Sequence, residues 1–111
     1  YYSMAPGISY KLAEFLASKK VVAVGLDTPF VDAVPDPNNP IPIPEGTPPN
    51  MVFPVHHYFL TQAGVHTLEN FNLKKISDDS VELSCVMILP LMVKGSSASS
   101  IRPVAIGPSI L

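Results

Sequence analysis

Apolar residues recur at Ile8, Leu12, Phe15 and Leu16, the spacing of one helical face, while Lys11, Glu14, Ser18 and Lys19 fall away from it. Ser9 precedes the stripe as a candidate N-cap, and Lys19-Lys20 stand at the far end, where cations suit the helix dipole. The pattern predicts a short amphipathic helix over 9–19. Residues 21–26 follow as an unbroken apolar run of strand length, rich in β-branched side chains. A buried strand directly after a helix is an α/β signal. Residues 55–63 read as a helix of two turns closed by Gly64 in a left-handed cap. Residues 65–68 read as a short strand, 70–75 as a turn or single helical turn, and Asp78-Asp79 as a turn. Over 81–89 the pattern alternates, with Val81, Leu83, Cys85 and Met87 on one face. The second half of that run is apolar on both faces, which predicts a central strand ended or bulged at Pro90. A polar loop over 95–100 leads to a last strand over 101–106. The sum is an α/β fold, a mixed β-sheet with flanking short helices.

Between the first strand and the second helix the pattern stops. Eight of the 13 prolines fall in residues 34–54, so this stretch is expected to be a long extended loop, because proline lacks the N–H that helices and inner strands need. A Pro-x-x-Pro spacing occurs over 37–40, but no basic residue flanks it, which argues against a ligand for an SH3-like partner. The rest of the composition bears on partners. The chain has 111 residues, 47% hydrophobic and only 14% charged, against about 25% charged in an average soluble domain. That is one domain's worth of chain with little charge to cover a complete surface, so part of the surface is expected to meet a partner subunit or another segment of the same protein. A net charge of −2 with scattered basic residues argues against nucleic-acid or anionic-membrane binding. No apolar run reaches the ~18–20 residues of a membrane span. The opening residues lack the basic start and apolar run of a signal peptide, and the chain begins on Tyr1; it is expected to be processed or incomplete at that end. The pattern leaves the compartment undetermined. Cys85 is the sole cysteine, so no internal disulfide forms.

Candidate chemistry gathers in residues 55–70, which hold all three histidines and Glu69. His57 and Glu69 are twelve residues apart; a helix, a glycine turn and a strand between them can bring both to one point, where imidazole and carboxylate are ordinary ligands for Zn²⁺, Mn²⁺ or Fe²⁺. The competing reading is two unrelated surface side chains, and a catalytic zinc takes three protein ligands rather than two. One of the adjacent His56 and His57 must face away from whatever the other faces, and His66 points opposite to Val65 and Thr67. His56 and His66 are read as ordinary core or surface histidines. Asp27 and Asp32 follow the first strand, at the end where α/β sheets place their sites. They suit acid/base work or, more commonly, capping and turning a loop through backbone N–H groups. Arg102 suits clamping a carboxylate or holding a loop. No Gly-x-Ser-x-Gly elbow occurs, and Cys85 in an apolar strand is expected to be inert.

Four ordered blocks carry a resemblance: Pro6-Gly7-Ile8-Ser9 before a helix; residues 22–29 (Val-Ala-Val-Gly-Leu-Asp-Thr-Pro) with Asp32; His57 through Glu69-Asn70; and Leu89-Pro90-Leu91 with Gly95 and Arg102. In order and spacing they resemble the C-terminal half of the cyclase family of metal-dependent hydrolases, the kynurenine formamidase and isatin hydrolase group. The resemblance implies an incomplete swivelling β/β/α fold over residues 1–111 as a single domain. It implies that His57, eight residues before Val65, and Glu69, before Asn70, hold a divalent metal, Zn or Mn, and it gives His56 no role. It further implies a homodimer, and hydrolysis of a formamide or cyclic amide. The departures are informative. Phe30 stands where serine is usual, and Ala98 and Ser100 stand where glycine and proline precede the arginine. The family's His-x-Gly-Thr-His-x-Asp-x-Pro-x-His motif, which supplies three ligands and the catalytic histidine, does not occur. The expectation is a C-terminal portion that needs its N-terminal half or a partner chain, inactive and metal-free alone. The alternatives are a non-catalytic binding or structural relative of the same fold, and an interaction module displaying the Pro-rich loop.

Overall fold

The computed structural model describes residues 5–33, 38 and 46–107. Most of the Pro-rich stretch, including both prolines of the Pro-x-x-Pro motif, lies outside them. The chain divides into two compact units, Tyr1–Leu73 and Lys74–Leu111. Both mix short helices with two-stranded sheets, and among the described residues no barrel forms. No described helix is long and apolar enough to cross a membrane.

In the first unit, helix α1 spans Tyr10–Ser18. Ser9 caps it as its position predicts, its Oγ accepting from the Leu12 N–H at 3.2 Å. The buried face differs from the predicted stripe. Tyr10 and Ala13 are buried, while Leu12 and Phe15 are exposed. The small Ala13 lets the helix backbone approach the core, and the larger apolar neighbours are left on the flanks. Strand β1, Ala23–Gly25, pairs in parallel with β2, His66–Leu68, setting Ala23 opposite His66 and Gly25 opposite Leu68. Hydrogen bonds continue beyond the paired residues, from Asn70 N–H to Thr28 O (2.9 Å) and from Phe71 N–H to Leu26 O (3.0 Å). The segments leaving the two strands therefore run side by side.

Parallel strands need a crossover, commonly a helix. Here it includes α2, Pro54–His57, which runs on into a π-helical segment, Tyr58–Ala63. Pro54 sits in the first turn, where its missing N–H costs nothing. The pattern predicts an α-helix to Ala63; the wider π turn, closed by i→i+5 bonds, instead keeps residues four apart over one face. Val55 and Phe59 are fully buried and Ala63 packs beside them. Gly64 ends the segment at φ 67°, ψ 31°, the left-handed cap the sequence predicts. The core thus consists of Ala13, Val31, Val55, Phe59 and Val65.

One close approach fixes the loop after β1. Ile8 N–H donates to Val31 O at 2.9 Å, and a Cβ added to Gly7 would lie 2.1 Å from Ala33 N and 2.2 Å from the Asp32 carbonyl carbon. Those neighbours are backbone and cannot swing aside. Gly7→Ala is expected to destabilise the first unit by about 1–3 kcal/mol or more, read as a lower urea midpoint; an unchanged midpoint would show that residues 5–8 do not brace the loop.

The second unit holds α3, Lys74–Asp78, and an antiparallel pair, β3 (Cys85–Met87) and β4 (Val104–Ile106), with a further bridge between Pro90 and Ile101. Lys74 and Lys75 pair with Asp78 and Asp79 one turn on, each at 2.7 Å. Two expectations are corrected here. Asp78 closes a helix rather than forming the turn itself. The long central strand over 81–89 shortens to Cys85–Met87 in a two-stranded sheet whose residues are all exposed, Cys85 included. An apolar run on both faces marks a strand able to sit centrally; among the described residues no neighbour takes up that capacity beyond β4.

Candidate functional site

The loop after β1 and the residue after β2 leave the parallel pair together, and the start of α2 meets them. Asp32, Glu69 and His56 come from these three places. Asp32 is buried, 3% exposed. Its Oδ1 accepts the Val55 N–H at 2.7 Å and its Oδ2 accepts the His56 N–H at 3.0 Å. These are free donors of the first turn of α2, so a carboxylate 23 residues upstream caps the helix and meets the positive end of its dipole. The same Oδ2 lies 2.6 Å from His56 Nδ1. On the other side of the ring, His56 Nε2 lies 2.7 Å from Glu69 Oε1, which also accepts the Val31 N–H at 3.2 Å. The result is a line: carboxylate, imidazole, carboxylate.

Aromatic rings border the line. The Phe30 and Phe53 centroids lie 6.3 and 5.9 Å from that of His56, both edge-on to it, and 5.5 Å from each other. Thr28 Oγ1 donates to Phe30 O at 2.8 Å and holds the loop that carries Phe30.

The pKa of His56 is raised above its ordinary value. The hydrogen bond to Asp32 is the largest cause, and the charges of Glu69 and Asp32 add to it; burial opposes them. Folding therefore strengthens this proton's binding. The resulting stability is fully present below the unfolded-state value of 6.5 and is lost as pH rises through the higher folded-state value. The urea midpoint of the wild type is expected to fall as pH rises above about 6.5, and His56→Gln is expected to flatten that slope. A slope equal in both proteins would assign it to another group.

The structure brings together Asp32 and Glu69 but places His56, not His57, between them. The His57 side chain is exposed and makes no polar contact among the described residues. Adjacent helical residues point about 100° apart, so one carboxylate cannot engage both rings. A signal for this was present. Val55 and Phe59 mark the buried face, and His57, midway between them, must lie opposite. His66 opens β2 with its side chain exposed. Asp27 is exposed beyond β1, and Arg102 is exposed in the second unit between Ile101 and Pro103; neither joins the line. Among the described residues no three His, Cys, Asp or Glu side chains converge as one metal-binding group. The reason is geometric: Asp32 and Glu69 face opposite ring nitrogens.

No family model and no solved structure matches the chain. A kynurenine formamidase of Bacillus cytotoxicus is 30% identical over 99 residues, which is 89% of this chain and 39% of that protein. The chain thus spans about two fifths of the length of the curated relative it matches, a likeness that extends across both units and supports a cyclase-family, formamidase-like relationship and nothing more specific.

Proposed function

We propose that this chain is the metal-holding C-terminal portion of a metal-dependent hydrolase acting on a formamide or cyclic amide, with His56 Nε2 and the Glu69 carboxylate as its metal donors. The observation that carries the reading is the Asp32–His56–Glu69 line at the C-terminal ends of a parallel pair, where α/β folds bind their ligands. The donor chemistry fits a divalent ion. Imidazole nitrogen and carboxylate oxygen both ligate Zn²⁺ and Mn²⁺, and they stand 2.7 Å apart. A ligating histidine also usually donates its other ring N–H to a carboxylate, which is the place Asp32 holds.

A divalent ion here supplies Lewis acidity, polarising an amide carbonyl and lowering the pKa of water. The chain's own residues have three tasks. His56 and Glu69 bind, Asp32 orients His56, and Phe30 with Phe53 forms an apolar border that limits water at one side of the ring. Two donors are fewer than a catalytic site uses. The remaining ligands and the proton-transferring group belong, on this reading, to an N-terminal portion or partner chain, and the assembled enzyme is a homodimer.

Reconstitution tests this. The chain joined to the N-terminal part of a formamidase relative is expected to hydrolyse an aryl formamide, with activity removed by a chelator and restored by Zn²⁺ or Mn²⁺. A stable, metal-binding assembly without hydrolysis would favour the alternative, a non-catalytic binding relative of the same fold.

A further inference from the structure

A carboxylate that only capped a helix would accept two backbone N–H groups, a task serine or asparagine performs as well. Asp32 accepts both and takes a third contact, His56 Nδ1 at 2.6 Å, the shortest of the three. We infer that Asp32 is the positioning residue of this site: with the carboxylate that caps α2 it holds the proton of the His56 ring on Nδ1 and presents Nε2 toward Glu69. The inference deepens the metal-site reading and rests on it for its functional meaning.

The argument is one of donors and acceptors. A neutral imidazole carries one proton on either nitrogen, and its partner on one side decides which. Neither ionised carboxylate has a proton to give, so both nitrogens of the charged ring donate. When the ring loses one proton, the nitrogen facing Asp32 keeps its own, because Glu69, its side chain 26% exposed, can turn to solvent and to the Val31 N–H. Burial of Asp32 to 3% exposure leaves no water to compete for that role. Turning the ring over would set C–H groups against both carboxylates and lose both contacts. Phe30 and Phe53, edge-on at 6.3 and 5.9 Å, oppose rotation of the ring plane. The capping bonds matter as well, because they fix where the His56 backbone begins. One side chain thus sets both the origin and the face of the ring.

The test is the tautomer of His56, read from long-range ¹H–¹⁵N correlation spectra of the chain, together with calorimetric Zn²⁺ titration of the chain joined to the N-terminal part of a formamidase relative. In the wild type the neutral ring is expected to carry its proton on Nδ1. In Asp32→Ala the proton is expected to move to Nε2, and Zn²⁺ affinity to fall about 10–100-fold, as for loss of other outer-shell partners, with the far-UV spectrum retained. A wild-type ring protonated on Nε2 overturns the inference, and so does a folded Asp32→Ala chain that keeps the proton on Nδ1 and its full Zn²⁺ affinity. Should Asp32→Ala not fold, the wild-type tautomer alone decides. A wild type that is protonated on Nδ1 yet takes up no Zn²⁺ once joined to the N-terminal part removes the metal reading and supports the role of Asp32.

Discussion

In the chain joined to the N-terminal part of a formamidase relative, His56→Ala is expected to weaken Zn²⁺ binding at least about 10–100-fold, whereas His57→Ala is expected to leave it unchanged. The two side chains are neighbours in sequence and equivalent in chemistry, so the comparison isolates geometry. Only the His56 ring reaches Glu69, at 2.7 Å, and only it is braced from behind by Asp32. Removing an outer-shell partner alone costs roughly 10–100-fold in affinity, and removal of a donor costs at least that. Glu69→Gln should weaken binding in the same way, since it removes the charge facing Nε2 while keeping the size of the side chain. Calorimetric titration of the three variants, each joined to that N-terminal part, is the measurement. Loss of binding in His57→Ala with retention in His56→Ala would restore the pair that the family resemblance implies and discard the one the structure assembles.

The second large effect is on the fold. Phe59 is fully buried among Ala13, Val31, Val55 and Val65, and Phe59→Ala is expected to cost about 3–5 kcal/mol. Whole domains are stable by only about 5–15 kcal/mol, and small ones lie toward the lower end. The truncated first unit should therefore lose most of its stability and unfold at a far lower urea concentration. The consequence reaches the site because two of the three residues of the line adjoin a core residue. Val31 precedes Asp32, and Val55 precedes His56. A core that loses Phe59 releases both backbones that set the carboxylate against the ring. Phe59→Leu, closer in volume, should retain most of the stability. Urea unfolding of both variants decides, and a loss under about 1 kcal/mol in Phe59→Ala would show that the core is not organised around this ring.

Much of the first unit is legible in the chain. The Ser9 cap, the helix behind it, the β-branched run at 21–26 and the Gly64 stop are local signals, and local signals survive folding because their physics acts over a few residues. The helix face was less legible. Apolar spacing selects Leu12 and Phe15, but packing selects Ala13, because close approach rewards the smallest side chain. The strand over 81–89 was overread for a related reason: apolar character on both faces records a capacity for burial, and pairing depends on a neighbour.

The site divides along the same line. The sequence alone determined the vocabulary of the chemistry: a histidine pair at a helix start, a glutamate after a short strand, and an aspartate in the loop after another. It left Asp32 two roles, acid/base work or the commoner capping through backbone N–H groups. Only the tertiary structure decided which histidine ring lies between the two carboxylates, with Asp32 as its partner across 24 residues. The reason is that a side chain's direction depends on helix phase. Pro54 starts the phase, and burial of Val55 and Phe59 fixes it. A shift of one residue turns a ring by about 100°, from a carboxylate into solvent.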